Sequence, residues 1–273
     1  MLLDDVPTMK SFFISIPHSG EQIPPEVTWL SGLPEPVVMC DVDRFVDQLY
    51  TPVVKDLKLT CIKTEWHRYV VDLNRLPEDV DADSVIGSVN ASGRFPLGLH
   101  WTRTTRGTRL MPGPITEAMH QQLVNDYFQP FHAQVQKAYA DLKARGASKV
   151  YHIDAHSMPS RGTASHNDPG EYRADIVVSD WKGKSCETSF KDLVISAYEK
   201  SGLKVAYNWP YFGGRVTQTY GRPEVGQHAI QVEINRALYM DEETKKLIPD
   251  KAQNLSAQLA ASVRAIHQAL PDL

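Results

Sequence analysis

Cysteine is scarce in this chain: Cys40, Cys61 and Cys186 form an odd, widely spaced set with no CxxC pair among 273 residues. That excludes a disulfide framework and a cysteine-rich zinc centre, and the thiols read as reduced. Long apolar runs are missing too; nothing approaches the roughly 18 residues that a membrane-spanning helix needs. The N-terminal stretch MLLDDVPTMKSFFISIP puts Asp4 and Asp5 where a signal peptide needs positive charge. Basic charge is not in excess: 29 Lys and Arg against 33 Asp and Glu give a formal net charge of -4. Such a surface offers little to phosphate backbones or anionic lipid. No internal repeat, no low-complexity tail and no GxSxG nucleophile elbow is present. These absences predict a cytoplasmic, bacterial-type enzyme with a small-molecule partner and neither a nucleic-acid nor a membrane partner, and they leave the oligomeric state open.

What is present fits one large core. A hydrophobic content of 42% in a chain of this length predicts a single domain over 1–273. Short apolar runs at 11–16, 59–64, 69–73, 149–155, 175–179, 203–208 and 229–234 alternate with segments of helical period, the pattern of an α/β layered sheet. Several runs are apolar on both parities, as strands covered on both faces should be. Helical periodicity is clearest over 41–57, where Phe45, Leu49 and Val53 recur at i, i+4, over 115–146 and over 241–270. Pro130 is expected to kink the second of these, and Pro249 to break the third near its start. Between Pro77 and Pro114 lies a Gly-, Ser-, Thr- and Arg-rich stretch, long enough for an active-site loop.

Four polar constellations sit where predicted strands end, and in open α/β sheets ligands bind at the carboxyl ends of strands. The first is SIPHSGEQIP, with His18 just past a strand and Glu21 three residues on. An imidazole and a carboxylate so spaced can reach one zinc ion at about 2.0 to 2.2 Å; alone, the pair is equally a surface His and a capping Glu. The second is HIDAHS, where Asp154 and His156 share a strand face and Asp154 could orient the His156 ring. His152, deeper in the same strand, reads as a satisfied core histidine. The third is RYVVDLNR: Arg68 at one end, and Asn74 with Arg75 at the other, suit recognition of a carboxylate, or are exposed arginines on a sheet edge. The fourth is AIQVEINR, where Glu233 in an apolar strand should have a raised pKa and suit a general base working on metal-activated water. Its alternative is a salt bridge to Arg236.

The order of these signals, HxxE, then R…NR, then DxH, then a late Glu, resembles the zinc carboxypeptidase clan with its aspartoacylase relatives. More closely, IPHSG, DVDRFVDQLY, RYVVDLNR, AHS, GGRVTQTYGRP and ALYMDE resemble the N-formylglutamate amidohydrolase (deformylase) family along most of the chain. The resemblance implies a three-layer α/β/α, zinc-exopeptidase-like fold around a central mixed, largely parallel sheet. It implies Zn2+ or another divalent metal held by His18, His156 and a carboxylate, with Glu233 as base and Arg68 polarising the carbonyl. Asn74 and Arg75 would bind a substrate carboxylate, and Tyr220 and Arg222 would contact the substrate. The third metal ligand stays open between Glu21 and the acidic helix start at Asp41, Asp43 and Asp47, where Asp43 and Asp47 would share a helix face. The implied reaction removes formyl from N-formyl-L-glutamate, a small anionic N-acyl amino acid, as the last step of one histidine-degradation route. Because GLHWTRTTRGTRLM departs from the family pattern, another N-acyl amino acid deacylase or a carboxypeptidase-like peptidase stays open, with Trp101 beside Arg103 as a lid contact. A metal-free carboxylate-binding protein is the alternative of another class.

Overall fold

The computed structural model of the chain describes residues 10–271, so the acidic stretch around Asp4 and Asp5 lies outside the described residues. Six strands follow in chain order: β1 Phe12–Ile16, β2 Thr60–Lys63, β3 Val150–Met158, β4 Ile176–Ser179, β5 Val205–Tyr207 and β6 Gln227–Asn235. They form one sheet in the order β2-β1-β3-β6-β4-β5. The first four in that order run parallel, and β4 pairs antiparallel with β6 and parallel with β5. The sheet is therefore mixed and largely parallel.

Helices cover both faces: α1 Glu35–Val38, α2 Val46–Asp56, α3 Glu117–Leu123, α4 Gln129–Ala144, α5 Thr188–Lys200, α6 Arg215–Tyr220 and α7 Pro249–Ala269. The apolar stripes of α2, α5 and α7 (Leu49, Val53, Val194, Leu259, Val263) pack on one sheet face, carried by Phe12, Ile14, Ile153, Ile230 and Val232. On the opposite face Phe13 and Val150 meet α4 and α6 through Phe131, Val135, Tyr139 and Val216. Strand period two sorts these sets, and the same alternation gives the second face its polar members: Ser15, His152, Asp154, His156, Gln231 and Glu233. All six are buried. One face is a hydrocarbon floor; the other becomes polar toward the carboxyl ends of β3 and β6.

Two proline expectations are refined. Pro249 is the first residue of α7, where its missing N–H has no partner to lose. At Pro130 no break occurs; a π-helical turn at Val124–Phe128 joins α3 to α4, and that wider turn accommodates a residue unable to donate. The run 69–73 is not a strand. Its backbone is taken up by turns and by the loop beyond it, Val70 N–H donating to His67 O (2.9 Å) and Asp72 N–H to Leu99 O (2.8 Å). These residues are buried and apolar because they lie under the 77–114 segment, with Tyr69, Val70, Trp101 and Leu110 in one cluster. That segment is ordered coil, and its Arg94, Arg103, Arg106 and Arg109 are exposed.

Candidate active site

The polar face ends in a cavity of about 280 Å³ lined by His18, Asp43, Arg68, Asn74, Arg75, Trp101, His156, Gln231 and Glu233. Register explains part of this: His156 of β3 lies opposite Glu233 of β6, so the two side chains leave the sheet side by side. His18 follows the end of β1, and its carbonyl accepts the Asp43 N–H at 2.9 Å, which ties the acidic turn to the strand end. Phe45, at φ 70°, then turns the chain into α2. Asp43 thus precedes the helix and shares no helix face with Asp47, whose carboxylate is taken by Lys63 at 2.7 Å.

His18, Asp43 and His156, all buried, each place one ligand atom within 4.8 Å of the others. Asp43 Oδ2 lies 3.1 Å from His156 Nδ1 and 3.5 Å from His18 Nδ1. The far nitrogen of each ring is held by its own carboxylate, His18 Nε2 by Asp72 (2.8 Å) and His156 Nε2 by Asp154 (2.7 Å). An imidazole that donates one N–H to a carboxylate presents its other nitrogen as a basic lone pair, the arrangement that orients metal-ligating histidines. His18 Nδ1 is buried without a hydrogen-bond partner among the described residues. An orphaned ring nitrogen beside a second imidazole and a carboxylate is a donor set that fits a divalent zinc-like ion.

Glu21 does not join this group. After His18 the chain runs beside residues 65–67, with Gln22 N–H on Glu65 O and His67 N–H on Gln22 O. The approach is so close that a Cβ on Gly20 would come 2.4 Å from the Glu65 carbonyl carbon. This path carries Glu21 out to Arg44, which grips both carboxylate oxygens at 2.7 and 3.1 Å. Of the two candidate carboxylates, Asp43 is the one brought to the histidines.

The charges are set by competition between burial and partners. Burial disfavours the Asp43 carboxylate, but the His156 and His18 rings beside it more than offset this and hold the group well below its ordinary range. Burial likewise opposes charge on Asp72, and Arg68, His18 and Arg75 reverse the balance. Glu233 goes the other way: burial, helped by the Asp43 charge, raises its pKa despite His156 nearby. Arg236 does not pair with Glu233; it donates to Asp43 Oδ1 (3.0 Å) and Cys40 O (3.0 Å).

Arg68 donates to Asp72 Oδ2 (2.7 Å) and Asp41 O (2.8 Å) and lies over the Trp101 ring, 4.5 Å from its centroid. Its Nε is buried with no partner among the described residues. Arg75 is braced by Leu97 O (2.8 Å) and Asn74 O (2.9 Å), and Asn74 Oδ1 accepts the Val216 N–H at 2.8 Å. Trp101 is buried, its Nε1 donating to Asp72 Oδ2 at 3.0 Å. His152 is a core residue, between Ser15 Oγ (2.7 Å) and Tyr139 OH (3.2 Å).

Two substrate contacts expected from GGRVTQTYGRP fall elsewhere. Gly213 and Gly214 line the cavity, but α6 then descends along the sheet. Tyr220 ends in the core with its hydroxyl on His132 Nδ1 (2.8 Å), and Arg222 pairs with Gln227 Oε1 (3.1 Å) at the start of β6. Gln227 lies six positions before Glu233 on β6, roughly 20 Å at about 3.3 Å each, which keeps Arg222 away from a small molecule held at Glu233. Asp72 and Gln231 were missed. Asp72 lay inside RYVVDLNR but was read as part of a strand, and Gln231 was legible by parity, two residues before Glu233. Its Nε2 donates to Glu233 Oε1 (2.7 Å) while its Oε1 accepts the Gly214 N–H (2.6 Å).

Comparison with known proteins identifies the family. The chain is 29% identical over 250 residues to the N-formylglutamate deformylase of Pseudomonas aeruginosa, covering 88% of each chain. It is 27% identical over 232 residues to the N-formylglutamate deformylase of Pseudomonas putida, covering 84% of this chain and 81% of that one. The crystal structure of N-formylglutamate amidohydrolase from Ralstonia eutropha JMP134 superposes with a TM-score of 0.81 at 26% identity, over 95% of this chain and 94% of that one. The family profile of N-formylglutamate amidohydrolase matches residues 10–240, and the chain belongs to that family.

Proposed function

We propose that this chain is a metal-dependent amidohydrolase that cleaves the formyl amide of N-formyl-L-glutamate to formate and L-glutamate. The observation that carries this reading is the meeting of His18, Asp43 and His156 in one cavity with Glu233, Arg68, Asn74 and Arg75. When bound by the first three, a divalent ion such as zinc supplies the Lewis acidity that polarises an amide carbonyl and makes water nucleophilic at neutral pH.

The other tasks fall to the chain's own atoms. Glu233, raised by burial, takes a proton from the attacking water and returns it to the departing amine nitrogen. Gln231 holds one of its carboxyl oxygens, which fixes the direction of that transfer. Arg68, charged and anchored on Asp72, stabilises the negative charge that develops on the carbonyl oxygen. Asn74 and Arg75 take a substrate carboxylate, the guanidinium being held in place by two backbone carbonyls. A cavity near the small end of ligand-site volumes suits a compact amino-acid derivative.

The test is formate release from N-formyl-L-glutamate, alongside N-acetyl amino acids and dipeptides, with metal analysis of the same protein. Glu233→Gln should keep its metal and lose about 10² to 10⁴ in kcat, the usual contribution of a positioned acid–base group. Turnover of dipeptides without turnover of N-formyl-L-glutamate would reject the substrate assignment.

A further inference from the structure

A second, smaller cavity of about 120 Å³ lies against the first, sharing Thr105, Pro159 and Arg236 in its wall. Its other lining includes Lys245, Arg106, Arg161, Cys40 and Glu242, so four cations face one carboxylate. Their bonding differs. Arg236 is satisfied by Ser157, Cys40 and Asp43, and Arg161 donates to Gly170 O at 2.7 Å. Glu242 already accepts the Ser160 N–H at 2.9 Å.

Lys245 is the anomaly. It is 3% exposed, yet among the described residues its ammonium makes no hydrogen bond and no ion pair. The exposed Arg106 guanidinium likewise has neither among the described residues. A buried charge is normally paired, because desolvation without a partner is expensive. Burial, then Arg236 and Arg106, push the Lys245 amine below its ordinary range, and Glu242 in the same lining offsets them only in part.

We propose that Lys245 and Arg106 bind a small oxyanion of the size of formate or phosphate in this pocket, apart from the metal and carboxylate positions of the main cavity. An anion there would relieve the repulsion and complete the bonding of an ammonium that the fold leaves unpaired. The pocket has less than half the volume of the main cavity, and the shared wall puts its occupant next to that cavity. The proposal stands whether or not the main cavity acts on N-formyl-L-glutamate.

The test follows Lys245 directly in the full chain as purified, by NMR of 13Cε-labelled lysines; its resonance is the one missing from Lys245→Met. Sodium formate and sodium phosphate are titrated separately at constant ionic strength. The expected result is a saturable millimolar shift of that resonance with at least one of the two anions. Half-saturation should rise about tenfold in Arg106→Ala, the loss of one charge-assisted contact, and stay unchanged in Arg75→Ala. A resonance that drifts linearly like those of surface lysines, that is indifferent to Arg106→Ala, or that loses its response in Arg75→Ala overturns the site. No turnover enters the measurement, so a missing deformylase activity and a missing anion site are separate results.

Discussion

On the proposed function, the residues of the cavity divide between those that would touch a ligand and those that hold them still. His156→Ala should leave dialysed protein with less than about a tenth of the wild-type metal, measured by elemental analysis; full metal content would show that the ring is no ligand. Gly214 makes a sharper test of positioning, since its Cβ would come 2.1 Å from the Asn74 side-chain nitrogen. Gly214→Ala should displace Asn74 and raise the KM more than it lowers kcat, with urea stability changing by roughly 1–3 kcal/mol; an unchanged KM would remove Asn74 from substrate binding. At this scale the sequence spoke through chemistry next to strand ends. That His18, His156 and Glu233 would meet was legible because all three lie at or just past the carboxyl ends of parallel strands. The choice between Glu21 and Asp43 stayed open because the place of Glu21 depends on where Arg44 lies, and the place of Tyr220 and Arg222 was not legible because nothing local tells how far α6 travels down the sheet.

At the scale of elements, the strands β1 to β6 were legible from their short apolar runs, each within a residue or two except β3, which runs on to Met158. The run at 69–73 misled because burial under a loop leaves the same apolar signature as burial in a sheet. The 77–114 segment owes its order to Asp81, which is fully buried and accepts the N–H groups of Asp83 (3.0 Å) and Phe95 (2.7 Å). Asp81→Ala leaves those donors unmatched and should cost about 2–3 kcal/mol. It should also speed hydrogen exchange in 81–95, whereas exchange confined to wild-type rates would show that the segment is held by other contacts. Composition alone suggested an active-site loop here, with Trp101 as a lid contact; side-chain caps on backbone amides, together with the Trp101 bond to Asp72, hold it in place as a wall.

For the whole molecule the clearest consequence is acid sensitivity. Burial lowers four imidazoles, His67, His100, His132 and His152, to about 4, whereas in the unfolded chain they titrate near 6.5. Below 6.5 the unfolded state therefore binds more protons, so their contribution is complete above that pH and is lost as pH falls toward 4. Each removes up to about 1.4 kcal/mol per pH unit. Urea midpoints should be flat above about pH 7 and fall steeply below about pH 6; a midpoint constant down to pH 4.5 would contradict this. The layered architecture as a whole followed from alternation of short apolar runs with helical ones, but the reversal of β4 beside β6 did not, since strand direction depends on crossovers that no run reveals. That reversal also divides the cleft. His18, His156 and Glu233 sit on the parallel half, while the stretches flanking β4 and following β5 supply Pro159, His166, Tyr211 and Phe212 to the opposite wall. Changes of length in those connecting stretches would reshape that bank of the cleft without touching the β3–β6 register that sets His156 beside Glu233.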